Sequence, residues 1–159
     1  MSSDENDKDL EKQIFELKLQ SMILNKLNVY LAGPWIYFIG NKDMIEKESG
    51  KWILHNHYFD DAITILHILS TMGYNCKCAT VGIMQDMTVP MIIYCEPDDI
   101  KIVNIMVKLD LIQKTKSGKL FNIAYKFNDQ TRSGEYGNSF TAKVTLSDYV
   151  NLDTGEIIQ

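Results

Sequence analysis

At 159 residues, 45% of them hydrophobic, the chain has the size and apolar content of one domain around one core. Its formal charge of -5 lacks the broad basic field that nonspecific duplex binding needs to displace counterions, which excludes a bulk nucleic-acid coat protein and leaves room for a local basic patch. The three cysteines, Cys76, Cys78 and Cys95, form no CxxC pair and leave an odd thiol, so reduced thiols are expected in place of a disulfide framework.

The first residues, MSSDENDKDLEKQ, are acidic and polar where a signal peptide carries positive charge ahead of an apolar run. No later stretch stays apolar for the roughly 18 residues of a membrane span, so a cytoplasmic protein with no membrane partner is expected. Isoleucine and lysine are the commonest residues and asparagine is frequent, while arginine occurs once, the bias of an AT-rich bacterial or phage coding sequence.

In chain order, Leu10, Ile14, Leu17, Leu24 and Leu27 recur near the 3.6-residue period and predict an amphipathic helix. Residues 1–28 then form a polar tail and helix, and 29–159 a single α+β domain. The helix either packs on the domain or pairs with a second copy, which would give a homodimer through residues 10–27. In "VYLAGPWIYFIG", Gly33-Pro34 interrupts the apolar run, and a proline that cannot donate to a ladder predicts an edge strand or two short extended pieces. From Lys51 onward the pattern is regular. "KWILHNHYF" is strand-like. "DDAITILHILSTMG" opens on a carboxylate expected to cap a helix, places apolar residues at 62, 65, 66 and 69, and ends on Gly73 where a helix C-terminus favours glycine.

"NCKCATVGI" and "VPMIIYC" predict two further strands. "EPDDIKIVNIMVKLDLI" repeats the helix design with Asp98 or Asp99 as cap, and "LFNIAYKF" supplies the next strand. The predicted order is β-α-β-β-α-β, an open and mostly antiparallel sheet with both helices on one face and the other face free. Alternation through Phe140, Ala142, Val144 and Leu146 predicts one more strand near the end.

Three groups of residues are candidates for chemistry. His55 and His57, spaced i, i+2 on a predicted strand, share a face, and with His67 they suggest either a metal site, an acid/base pair or simply a polar sheet face. No third ligand follows at a metal-like spacing, and no cofactor motif is present. Cys76 and Cys78 share a face too, which fits small-residue packing. Basic residues gather at Lys108, Lys114, Lys116, Lys119, Lys126 and Arg132; "KTKSGK" lacks the glycines and following helix of a phosphate-cradling loop. Arg132 is the chain's one arginine, set in "YKFNDQTRSGEYG". A guanidinium fork matches phosphate or carboxylate as lysine does not, so geometry explains its presence better than charge does, unless it pairs internally with Asp129 or Glu135.

"VYLAGP" resembles the opening strand and turn of nucleoside deoxyribosyltransferases, but "WIYFIG" continues extended where that family has a helix. A longer resemblance runs from about residue 50 to 140: "GKWIL", "MIIYCEPDDIKIVNIMVKL" and "YKFNDQTRSGEYG" resemble, in the same order, the recurring segments of the basophilic-leukaemia-expressed protein family. The matching residues are Lys51, Trp52, Tyr125, Lys126, Thr131, Arg132, Gly134, Tyr136 and Gly137. The resemblance implies a curved antiparallel sheet backed by helices, similar in fold to the cap-binding translation initiation factor 4E. Trp35 and Trp52, the only tryptophans, fall on no matching cap-sandwich motif.

The expectation is a noncatalytic bacterial or phage protein that binds a phosphate-bearing small molecule, such as a nucleotide, or an RNA end. Arg132, Lys126 and Lys51 would supply charge, Thr131 would lie beside them, and Tyr136 or Trp52 would offer a stacking ring; Trp52 on a central strand is otherwise a core residue. Two alternatives stand beside it. One is a phage anti-defence inhibitor whose surface acids contact a host defence protein. The other is a phosphoester- or phosphothreonine-directed enzyme using His55 or His57, with Arg132 on the phosphate.

Overall fold

A computed structural model describes residues 9–10, 13–14, 17, 28–80, 88–136 and 139–158. From residue 29 onward the elements are β1 (Val29–Ala32), β2 (Trp35–Phe38), β3 (Gly50–Tyr58), α1 (Phe59–Thr71), β4 (Asn75–Ala79), β5 (Thr88–Cys95), α2 (Ile100–Lys108), β6 (Ala124–Phe127), α3 (Asn128–Arg132) and β7 (Val144–Thr145). The seven strands form one open sheet in the order β1-β2-β4-β5-β3-β6-β7, with every neighbouring pair antiparallel.

β3 and β4 both run antiparallel to β5, which lies between them, so α1 is a crossover between parallel strands. The same relation holds for β5 and β6 on either side of β3, with α2 as the crossover. Two interleaved right-handed units of this kind place both helices on one face. The expected α+β class and β-α-β-β-α-β order are found. Ala62, Leu66 and Leu69 of α1 and Ile102, Val103 and Met106 of α2 enter one buried cluster with Phe38, Trp52, Cys76 and Ile93 of the sheet.

The sheet's alternation builds that cluster. Trp52 lies opposite Ile93 and Ile93 opposite Cys76; Leu54 lies opposite Met91 and Met91 opposite Cys78. A small thiol beside each larger side chain leaves room for α1, and Cys76 Sγ lies 3.5 Å from the Leu66 carbonyl oxygen. Asp99 caps α2, its carboxylate accepting from Ile102 N at 3.2 Å, which selects between the two candidate caps. Gly73, at φ 96°, follows α1 in the left-handed conformation expected of a helix-terminating glycine.

Four expectations are corrected or refined. Gly33-Pro34 separates two short strands, β1 and β2, that pair as a hairpin and extend the β4 edge. The last predicted strand contracts to Val144–Thr145, because β6 offers it only Ala124 and Tyr125 as partners; Leu146 and Val150 turn into the core instead. Residues 128–132, for which no element is predicted, form α3. His55 and His57 do not share a face. A one-residue bulge between Leu54 and His57, with Asn56 at φ 68°, breaks the alternation, so His57 faces the helices opposite Val89.

In the N-terminal segment, residues 9, 10, 13, 14 and 17 are helical, and Leu10, Ile14 and Leu17 are exposed. Leu24, Leu27 and Gly137 lie outside the described residues. Among the described residues no helix is long and apolar enough to cross a membrane.

Candidate anion-binding cleft

Residues one step out of phase with the core layer point to the face of the sheet that α1 and α2 leave free. Strand register brings them into rows. Lys51 stands between Tyr94 and Lys126, Tyr94 is next to Asn75, and Tyr37 stands between Lys77 and Tyr30. Trp35 lies two residues from Tyr37 on the same strand face.

Aromatic rings form much of this surface. Tyr30 and Tyr37 stack with centroids 5.1 Å apart and planes 6° from parallel. Lys77 Nζ lies 4.5 Å from the Trp35 ring centre, 5.2 Å from Tyr37 and 5.6 Å from Tyr94. Burial raises the pKa of the Tyr94 hydroxyl and lowers that of the Lys77 amine.

β6 leads directly into α3, which sits on this same face. Asn128 N donates to Ser49 O at 2.8 Å and Asn128 Nδ2 to Glu48 O at 2.8 Å, tying the start of α3 to the segment before β3. Gln130, 1% exposed, accepts from Phe127 N through Oε1 and donates to Thr141 O at 2.8 Å through Nε2. The short helix is thereby fixed over Lys51. Lys51 Nζ donates to Asn128 Oδ1 at 3.0 Å and to Thr131 Oγ1 at 2.9 Å. Burial, then Lys77, Lys126 and Arg132, bring the Lys51 pKa down from 10.5 to about 8.

Between the hairpin, the segment before β3 and α3 opens a cleft of about 650 Å3. Tyr30, Tyr37 and Tyr94 line it with Lys51, Thr131 and Arg132, and Glu46 and Glu48 share it. Glu48 is held by Asn75, whose Nδ2 donates to Glu48 Oε1 at 2.7 Å while its Oδ1 accepts from Gly40 N and Asn41 N. The Arg132 side chain is 71% exposed; its Nη2 lies 3.1 Å from Asp129 Oδ1, a surface pair in which Asp129 is 92% exposed. The pairing with Asp129 leaves the guanidinium open to solvent.

Of the residues singled out in the sequence, Lys51, Thr131 and Arg132 meet in the cleft. Lys126 and Tyr136 sit beside it as a pair, the ammonium 3.9 Å from the ring centre, and Tyr136 Oη reaches Thr131 O at 3.4 Å. Trp52 is elsewhere. It is fully buried on the helix side, edge-on to Tyr125 at 5.3 Å and 75°, and offers no surface to a ligand. The rest of the basic stretch also stays apart: Lys114 pairs with Asp110 at 3.6 Å and Lys119 with Asp153 at 3.2 Å, while Lys108 and Lys116 are exposed and do not line the cleft.

Sequence reasoning missed Tyr30, Tyr37, Trp35, Lys77, Asn75, Tyr94 and Asn128. Part of the signal was present. In "NCKCA" the two cysteines belong inside, so Lys77 between them belongs on the free face, and in "WIYF" the same alternation exposes Trp35 and Tyr37.

His55 and His57 line a separate groove of about 270 Å3 with residues 110–114, sharing no residue with the cleft. His57 Nε2 lies 2.7 Å from the Leu111 carbonyl oxygen. Among the described residues no group of histidine, cysteine, aspartate and glutamate is placed to hold a metal ion. Cys76, Cys78 and Cys95 are buried free thiols, and burial pushes Cys78 up to about 12. No protein-family model, curated protein or solved structure matches the chain.

Proposed function

We propose that this protein binds a phosphate-bearing ligand, a nucleotide or an RNA end, in the cleft on the free face of its sheet and performs no reaction on the phosphate. The observation that carries this reading is the convergence of Lys51 and Arg132 on a cleft lined by Tyr30, Tyr37 and Tyr94. The guanidinium supplies the planar fork for phosphate oxygens, and exchanging an exposed aspartate for phosphate costs it little. Stacked bases gain about 1–3 kcal/mol each on such rings. Trp35 with Lys77, just outside the cleft, extends the platform toward a second base. Glu46 and Glu48 favour a ligand whose other end carries donors, as the exocyclic amines of a base do.

The reading also takes the chain as a distant relative of the basophilic-leukaemia-expressed protein family, with an initiation-factor-4E-like curved sheet whose concave face binds ligand. The resemblance over residues 50–140 supports it, since Lys51, Lys126, Thr131, Arg132 and Tyr136 belong to the matched segments. The separation of the histidine groove from Arg132 speaks against the phosphoester enzyme.

Calorimetric titration at low salt with nucleoside monophosphates, a 5′-phosphorylated RNA oligonucleotide and the matching unphosphorylated compounds tests the reading. Phosphorylated ligands should bind at least ten-fold more tightly, and Arg132→Lys should weaken them several-fold. Equal affinity with and without phosphate would remove the proposal. Binding that ignores Arg132→Lys would favour the anti-defence reading, in which surface acids meet a host defence protein.

A further inference from the structure

Lys51 has an unusual set of neighbours for an amine. Its two hydrogen-bond partners, Asn128 Oδ1 and Thr131 Oγ1, are neutral, and it takes part in none of the ion pairs among the described residues. The charged and titratable groups around it are Lys77 from β4, Lys126 from β6, Arg132 from α3 and Tyr94 from β5, the last with its ring centre 5.7 Å away. Glu46 and Glu48 share the cleft, and Glu48 is occupied by Asn75. An ammonium ion here has three like charges around it and, among the described residues, forms no ion pair with a carboxylate. The neutral amine also fits these contacts: its two hydrogens match the two acceptors, and its lone pair is left over.

We propose that Lys51 is a nucleophilic lysine that condenses with the carbonyl carbon of a small phosphorylated aldehyde seated in the cleft. The Nζ lone pair adds to the carbonyl carbon, and the C=O π pair moves onto oxygen, which takes a proton. The carbinolamine then expels that oxygen as one water carrying both amine hydrogens, leaving a C=N bond with nothing oxidised or reduced. Desolvated lysines beside other cations are the amines that proteins use in this way. With its pKa at about 8, Lys51 is neutral in about a fifth of molecules at pH 7.4, against about one in a thousand for an ordinary lysine. The amine chemistry stands on the cleft alone, whereas the choice of a phosphorylated carbonyl rests on the ligand class proposed above, with Arg132 on the phosphate and Tyr94 against the organic part.

The test treats the full chain with pyridoxal 5′-phosphate or with pyridoxal, traps imines with cyanoborohydride, and maps the modified lysines by mass spectrometry of tryptic peptides. Lys51 should react at least ten-fold faster than the average of the other lysines, with a rate that levels off above about pH 8. Lys51→Arg should abolish the fast phase. Arg132→Gln should slow pyridoxal 5′-phosphate several-fold more than it slows pyridoxal, which loses only the help that the guanidinium gives in lowering the Lys51 pKa. Labelling spread over the lysines by exposure, with no preference for Lys51 from either aldehyde, overturns the proposal; this comes from the wild-type chain and does not depend on any variant folding. Fast reaction of Lys51 with both aldehydes at equal rates sustains the nucleophile and overturns the phosphorylated substrate, which separates this proposal from the nucleotide reading.

Discussion

Gly50 bears directly on the cleft's geometry through β6, and Gly50→Ala is a sharp structural perturbation. It opens β3, paired with Phe127 on one side and Cys95 on the other. A Cβ there would meet the Lys126 carbonyl oxygen, lie 2.7 Å from Tyr125 Cε1 and lie 2.8 Å from Phe127 Cα. Two of these three atoms are backbone of β6 and cannot rotate aside, so the strand itself must move. Overpacking of this kind costs about 1–3 kcal/mol, and a lost ladder hydrogen bond adds about 1 kcal/mol. The expected loss is about 2–4 kcal/mol, or about 5–15 °C in Tm for a domain of this size. Because β6 carries Lys126 and leads into α3, the two Lys51 hydrogen bonds and the place of Arg132 shift with it, and nucleotide affinity should fall at least ten-fold. Gly134→Ala is the control: at φ 77° with no atom within 4 Å of a built Cβ, it should cost only the conformational term of about 1–2 kcal/mol. Thermal melts followed by circular dichroism, paired with calorimetric titration of one nucleotide, read both effects. A Gly50→Ala protein melting within 2 °C of wild type, or a larger loss from Gly134→Ala, would refute the reasoning.

Affinity for an anionic ligand should stay level below about pH 8 and decline above it as Lys51 loses its proton, and binding near pH 8.5 should take up protons, read by titration in buffers of different ionisation enthalpy. The folded pKa of Lys51 lies below its unfolded value, so between about 8 and 10.5 the unfolded chain binds more protons and wild-type stability rises with pH; urea melts at pH 7 and 10 should show wild type gaining relative to Lys51→Met across that window. Cys76, Cys78 and Cys95 should be silent to a disulfide thiol reagent in the native protein and react fully in denaturant, because all three are buried and burial raises their pKa values. Asp129→Asn should move Tm by no more than about 2 °C, since its pair with Arg132 is exposed.

α1 begins at Phe59 with no side-chain cap, leaving Asp60 and Asp61 in its first turn in place of the expected carboxylate cap, and β6 begins only at Ala124. Even so, the elements whose side chains carry a clear period, β3, α1, β5, α2 and the end of β6, were legible in the chain. α3 was not. Five residues cannot show a helical period, and this helix depends on distant partners, with Asn128 held by Ser49 and Glu48 and Gln130 by Thr141. The histidine pair was misread because a bulge leaves no mark on a run such as "LHNHY"; only the pairing with Val89 and Met91 reveals it. Part of the cleft was visible because "YKFNDQTRSGEYG" gathers Thr131 and Arg132 in one segment, with Lys126 and Tyr136 beside them. The rest comes from strands scattered along the chain.

What the amino-acid order determined alone is a periodicity: which residues face inward, where helices begin and end, and hence an α+β sheet with one covered face. Tertiary structure decided which exposed residues stand together. Strand order is set by crossovers and burial of whole faces, and it is this order that brings Tyr94 beside Lys51, sets Tyr30 and Tyr37 across from them and turns separate polar positions into one cleft. It also decided the state of Lys51, because desolvation and like-charged neighbours are properties of a surrounding, and no surrounding exists until the strands have paired.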